Sequence, residues 1–196
     1  MGDLVSLRRV RANPAEMSDE ALVSATGARD PVALGALFDR FHLDVWRFLA
    51  RVAGCPESDL DDLVQMTFVE VFRSAARFSR RSAVKTWIFG IAVNVARNHA
   101  RSEGRHRAAV ARMAEAPRTR VRRPDSHAEN SQMLAQLAAA LAELPYELRV
   151  AYTLCVIEEL PAREAARALA TREGTVWRRV HEARRALESA LERSRA

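Results

Sequence analysis

Between Pro31 and Ala53, the residues Leu34, Leu37, Phe38, Phe41, Val45, Phe48, Leu49 and Val52 recur three or four positions apart without a break. That spacing stacks their side chains on one side of an α-helix. A stripe this long has to be buried against other helices, so this stretch alone calls for a helical bundle. The same period continues along nearly all of the chain, and no alternating pattern of useful length competes with it. Glycine and proline are scarce, at seven each in 196 residues. The fold class read from these patterns is all-α.

The stripes fall into two blocks. "SDEAL" at 18–22 offers Ser18 or Asp19 as a helix cap. After the long second helix, "GCPESD" breaks the chain, and a third helix turns Leu60, Leu63, Val64, Phe68, Val71 and Phe72 inward. Beyond "RFSRRSA" a fourth carries Trp87, Ile88, Ile91, Ala92 and Val95. Four such helices close one small domain over residues 18–102, preceded by an extension, residues 1–17. From Arg101 to Arg123 the pattern dissolves into eight arginines against two glutamates, with Gly104 and Pro117 among them. Such a segment has little to bury, so residues 103–129 are expected to be a flexible basic linker, with helical potential around "AAVARMAEA".

Periodicity returns near Ser131 with Leu134, Leu137, Leu141 and Leu144. Pro145 suits the first turn of the next helix, which carries Val150, Leu154, Val156 and Ile157. "PAREAARALATREGTVWRRVHEARRAL" then reads as a short helix, a tight turn and a longer helix. That is the layout of a helix-turn-helix, and it completes a second small domain over residues 130–196. In its last helix Val176, Val180, Ala183 and Leu187 share the inward face, while Arg178, His181, Glu182 and Arg185 lie opposite. Arg179 and Arg184 flank the stripe, as does Trp177, which is expected half-buried at the core edge. A major-groove helix needs this arrangement of apolar anchor and outward donors, chiefly Arg178, Arg179 and Arg185. An amphipathic surface helix with solvated arginines accounts for the same pattern.

Charge narrows the class of partner. The net charge is +6 and all but one of the basic side chains are arginine, Lys85 being the exception. That balance favours a polyanion, although solvated arginines give it as well. Cys55 and Cys155 stand alone, without a CxxC pairing, which suits buried thiols in a reducing compartment. The N-terminus lacks the long apolar run of a signal peptide, and no apolar run has the length of a membrane span, so a cytoplasmic protein without membrane insertion is expected. His42, His99, His106, His127 and His181 show no metal-ligand spacing, and there is no Gly-rich phosphate loop or GxSxG. No catalytic residue, metal or cofactor is therefore assigned, and the chain is not read as an enzyme.

The block "DLDDLVQMTFVEVFRSAARFSRRSAVKTWIFGIAVNVARNHARSEGRHR", residues 59–107, decides among the binding functions. Its skeleton "DLVQ.TF..VF", "RF" and "TW...IA.N.ARNH.R" resembles the promoter −10 region of bacterial sigma factors of the extracytoplasmic-function group. "LPYELRVAYTLCVIEELPAREAARALATREGTVWRRVHEARRAL" resembles the same family's −35-binding domain. The resemblance runs over roughly residues 18–190 in the family's order.

The resemblance implies a subunit that binds core RNA polymerase, at the clamp helices of its largest subunit and at the flap, and also binds promoter DNA. It further implies restraint by an anti-sigma factor. Asp61, Asp62, Gln65 and Glu70 match the face that docks on the clamp helices. Arg77, Phe78, Ser79, Arg80, Arg81, Ser82, Lys85 and Thr86 match the loop that captures unpaired −10 bases, with Asn94, Asn98 and Arg101 on the following helix. Thr175, Arg178, Arg179, His181, Glu182 and Arg185 match the −35 reader.

Three features depart from the family pattern. Met66 replaces an acid, the linker is strongly basic, and Trp177, Glu182 and Ala170 stand where basic residues and a turn glycine are usual. Two other functions fit parts of the chain. A free-standing helix-turn-helix regulator explains residues 131–196 but leaves 59–107 without a use, and an interaction module held by a partner is compatible with the sigma reading.

Overall fold

The structure, a computed structural model, describes residues 13–113 and 129–195, and every regular element among them is helical. Helix α1 spans Asp19–Gly27 and starts at Ser18, whose hydroxyl accepts from the Ala21 amide at 3.2 Å. Helix α2, Pro31–Val52, starts at Asp30, whose carboxylate accepts from the amides of Val32 and Ala33, with Pro31 in the first turn. Helix α3 spans Leu60–Ser74, and a short 3₁₀ turn, Ala75–Arg77, leads into the basic loop. Helix α4 runs from Val84 to Met113, about ten residues beyond the boundary expected from the apolar pattern. Alanine and arginine, which dominate that continuation, are strong helix formers, so propensity carries the helix on after its apolar stripe ends. The remainder of the predicted linker, residues 114–128, and nearly all of the extension, residues 1–12, lie outside the described residues.

Helix α5 spans Glu129–Glu143 and α6 spans Tyr146–Tyr152, the latter continuing into a π-turn, Thr153–Ile157. Helices α7, Ala162–Ala168, and α8, Glu173–Arg195, form the helix-turn-helix. Its turn puts Ala170 at φ +48°, a left-handed conformation that favours glycine. The chain meets it with alanine and a backbone hydrogen bond from Thr171 N to Ala166 O of 2.9 Å.

The α1–α4 core is built from the predicted stripes, with Leu37, Val45, Phe48 and Leu49 of α2 fully buried against Ile88 and Phe89 of α4. The Phe48 and Phe89 rings stack at 4.7 Å. The second block packs on this core directly: Val150, Ala151, Leu154, Ala162, Ala165, Ala166 and Leu169 belong to the same buried cluster. A smaller cluster of Ala140, Leu141, Leu144, Ala183 and Leu187 fastens α5 to α8. Where α7 meets α4, Gly90 leaves room for the backbone of Ala168, and a Cβ there would lie 3.1 Å from the Ala168 carbonyl oxygen.

Candidate polymerase and promoter surfaces

Helix α3 turns Leu60, Leu63, Val64, Phe68 and Val71 to the core and leaves Asp61, Asp62 and Gln65 in solvent. Glu70 is half-buried and paired with Arg73 at 2.6 Å. The same face is not simply acidic: Met66 and Val69 of α3 are 51% and 48% exposed, and Leu43 of α2 is 55% exposed. A cleft lined by Phe38, His42, Leu43, Trp46, Asp61, Val64 and Gln65 lies between the two helices. An apolar floor with an acidic rim is the make-up of a protein-docking surface. Leu43, Trp46 and Val69 were not singled out from the sequence. Their signal was an apolar residue out of phase with its helix's buried stripe.

The basic loop leaves Arg77, Ser79, Arg80 and Arg81 exposed and Ser82 half-buried. Arg80 adopts φ +55°, a left-handed conformation that costs a non-glycine residue about 1–3 kcal/mol. Phe78 is half-buried, its ring 4.9 Å from Trp87. Trp87 in turn packs against the core, as its register with Ile91 requires. Beside the loop is a pocket of about 160 Å³ between Glu20, Ser24 and Gly27 of α1 and Ala76, Phe78 and Arg80. Gly27 permits this close approach, since a Cβ there would come within 3.0 Å of the Ala76 backbone. Asn94, Asn98 and Arg101 are exposed along α4.

Two residues matched to −10 recognition are already engaged. Thr86 is buried and its hydroxyl donates to Glu164 of α7 at 2.9 Å. Lys85 sits between Asp44 at 2.9 Å and Glu158 at 3.5 Å. Burial pulls the Lys85 pKa down, but the Asp44 hydrogen bond and the two carboxylate charges outweigh this and hold it above the usual lysine value. These contacts belong to a polar seam between the blocks. Arg51 meets Glu158 at 3.2 Å, Arg167 donates to the Arg81 carbonyl, and the Tyr146 hydroxyl donates to the Val93 carbonyl at 2.8 Å. Glu147 takes Arg97 of α4 on one oxygen at 3.2 Å and Arg179 of α8 on the other at 3.0 Å.

On α8, Val176, Val180, Ala183 and Leu187 are buried as predicted, and Arg178, His181 and Arg185 are exposed. Thr175 is half-buried at the helix start. Arg178 pairs with Glu182 one turn on, at 2.6 Å. Arg179 is only 19% exposed, so in this conformation its guanidinium ties α8 to α6 rather than facing outward. One expectation is corrected. Trp177, expected half-buried at the core edge, is 58% exposed. It follows fully buried Val176 by one residue, and that step of about 100° carries it off the buried stripe onto the outward face.

Comparison with known proteins places both blocks. Sigma-70 region 2 matches residues 37–106, and sigma-70 region 4 matches residues 134–187. The ECF RNA polymerase sigma-E factor of Haemophilus influenzae is 30% identical over 186 residues, covering 90% of this chain and 97% of that protein. The ECF RNA polymerase sigma factor SigE of Mycolicibacterium smegmatis is 34% identical over 187 residues, covering 90% of this chain and 70% of the other. Among solved structures, CnrH in complex with the cytosolic domain of CnrY superposes with a TM-score of 0.64 at 26% identity, over 89% of this chain and 97% of that one. The sigma factor RpoE in complex with the anti-sigma factor NepR, from Bartonella quintana, shares the fold at a TM-score of 0.60 and 23% identity, over 79% and 96% of the two chains. With both regions present in order and relatives aligned along nine-tenths of its length, the chain belongs to the extracytoplasmic-function (ECF) sigma factors of the sigma-70 family.

Proposed function

We propose that this sigma factor docks on core RNA polymerase through the outward face of α3, captures an unpaired −10 base at the loop after it, and reads the −35 duplex with α8. The observation that carries the reading is that one chain holds, in family order, an exposed docking face on α3 and an exposed reading face on α8, each inside a matched region. A free-standing regulator would need the second only. Asp61, Asp62 and Gln65 set polarity and register on the polymerase, while Leu43, Met66 and Val69 supply apolar contact; Glu70 borders this surface. Arg77, Arg80 and Arg81 hold phosphates, Phe78 lines the 160 Å³ pocket, and Ser79 and Ser82 offer hydrogen bonds from the same loop. Asn94, Asn98 and Arg101 track the strand along α4.

At the −35 element Arg178, His181 and Arg185 face the groove from α8, with Thr175 at its start and Glu182 accepting from a cytosine amine or orienting Arg178. The chain performs no chemistry of its own: it positions DNA for the polymerase. Lone thiols support a cytoplasmic setting, and no described helix is long and apolar enough to cross a membrane.

Distance forces a conformational step. The two promoter elements lie about 25 base pairs apart, or roughly 85 Å at 3.4 Å per pair. A compact chain of 196 residues is only about 40 Å across. Both elements are therefore out of reach of the packed arrangement, and the seam has to open on the polymerase, releasing Lys85, Thr86 and Arg179 for DNA. An anti-sigma factor is the partner the family resemblance implies, and the complex of RpoE with the anti-sigma factor NepR supports it; such a partner would act by favouring the packed form.

The test is promoter opening. With core polymerase and a cognate promoter, the protein should make the −10 thymines reactive to permanganate. Arg80→Ala should abolish that reactivity while leaving core binding intact. Equal reactivity with the variant would remove the loop from the reading.

A further inference from the structure

Outside the surfaces just described, three side chains far apart in sequence converge. Cys55 lies in the turn after α2, Asp59 immediately before α3, and His99 in the middle of α4. Their ligating atoms, a thiol sulfur, a carboxylate oxygen and an imidazole nitrogen, all lie within 4.8 Å of one another. The spacing of 55, 59 and 99 matches no metal-binding motif, which is why the histidines looked unclustered in the sequence.

The local bonding leaves these atoms available. His99 Nε2 is shielded from solvent and has no hydrogen-bond partner among the described residues. Asp59 Oδ2 stands 3.7 Å from it, which is too far for a hydrogen bond. Asp59 occupies the N-cap of α3, yet its carboxylate makes no capping bond and, among the described residues, accepts from Ser58 Oγ alone, at 3.0 Å. A shielded imidazole nitrogen aimed at a carboxylate across a gap is costly as a simple pair. It becomes favourable if something bridges the gap.

We infer that Cys55, Asp59 and His99 form a site for one borderline-soft divalent cation of the zinc class. Sulfur, nitrogen and oxygen donors together suit zinc, and a thiolate with a carboxylate neutralises its charge. Tetrahedral zinc holds such atoms roughly 3.3–3.8 Å apart, given bond lengths of about 2.0–2.3 Å. The trio would therefore contract by up to about 1 Å. The Gly54–Cys55–Pro56 turn can supply this, since it belongs to no helix and Gly54 is at φ +65°. A fourth position remains for water. The ion would clip the middle of α4 to the turn that launches α3, the helix carrying Asp61, Asp62 and Gln65.

Metal-stripped full-length protein titrated with Zn²⁺ against a chromophoric chelator should bind one equivalent. Co²⁺ should give a thiolate charge-transfer band. Cys55→Ser or His99→Gln should weaken zinc binding by at least about 100-fold, beyond the 10–100-fold typical of residues that only support a ligand. Cys155→Ser should change nothing. Without any substitution, zinc should protect Cys55 but not Cys155 from maleimide, read by peptide mass. A zinc concentration about 100 times Kd should raise Tm by about 5–10 °C. The absence of a thiolate band and of Cys55 protection in the unmutated protein would overturn the site, as would unaltered affinity in folded Cys55→Ser and His99→Gln.

Discussion

Gly90→Ala separates the packing of the two blocks from the folding of either. A Cβ at this position would sit 3.1 Å from the Ala168 carbonyl oxygen and 3.3 Å from its Cα. Comfortable carbon contacts are about 3.5–4.0 Å, so α7 must retreat by a few tenths of an ångström. Overfilling a packed seam costs about 1–3 kcal/mol. The same substitution favours α4 as a helix by about 1 kcal/mol, but it does so whether α7 is docked or not, so this contribution cancels from the opening equilibrium. What remains shifts that equilibrium toward the open form by roughly 5- to 150-fold, at about 1.4 kcal/mol per factor of ten. Since the seam has to open on the polymerase, core binding bears the cost of opening, and apparent affinity for core polymerase should tighten by a similar factor until the open form predominates. Small-angle scattering should show a larger radius of gyration for the free variant, and an anisotropy titration should show the tighter Kd. A folded Gly90→Ala protein with unchanged radius and unchanged Kd would refute the idea that this seam gates polymerase binding.

Three smaller predictions concern the second block. Ala170→Gly removes a left-handed strain of about 1–2 kcal/mol but adds about 0.5–1 kcal/mol of unfolded-state entropy. A net stabilisation of about 0.5–1 kcal/mol is expected in thermal melts, and no gain would mean that the φ of +48° at Ala170 is unstrained. The Tyr146 phenol is pushed up to about 12, chiefly by burial, with Arg97 opposing and Glu147 adding. Its folded value lies above the unfolded value of about 10, so the stability it contributes is complete below pH 10 and is lost as pH rises from about 10 to 12. Ultraviolet titration of wild type minus Tyr146→Phe should place that phenolate near 12, and a midpoint near 10 would show that the phenol is not buried at the seam. Trp177→Ala, at a residue 58% exposed, should leave the unfolding free energy within about 0.5 kcal/mol of wild type yet alter −35 selectivity in a promoter-library selection. Unaltered selectivity would remove Trp177 from the reading face.

The helices were legible because apolar spacing is a local property. The stripes of α2 and α3, the anchor face of α8 and the cap at Ser18 all appear where the sequence puts them. The seam was not legible, because nothing local tells which neighbour the buried alanine face of α7 packs on, or that Ala168 meets Gly90 of α4. Trp177 was misplaced because large aromatics usually seek burial, whereas its one-residue offset from Val176 decides otherwise. The end of α4 was missed because the apolar pattern marks where a helix is buried and is silent on where helix propensity carries it further. The Cys55, Asp59 and His99 cluster required a three-dimensional meeting of the α2–α3 turn with α4, and a separation of 40 or more residues hides such a meeting.

The central claim is that the α3 face docks on RNA polymerase, and co-migration tests it directly. Purified protein mixed with bacterial core enzyme should elute with it on gel filtration. An Asp61→Ala/Gln65→Ala variant, altered only at two exposed positions, should fold normally and co-elute much less. Co-elution unaffected by the double substitution would contradict the assigned face, and failure of the wild-type protein to co-elute, with tight binding to duplex DNA alone, would contradict the account.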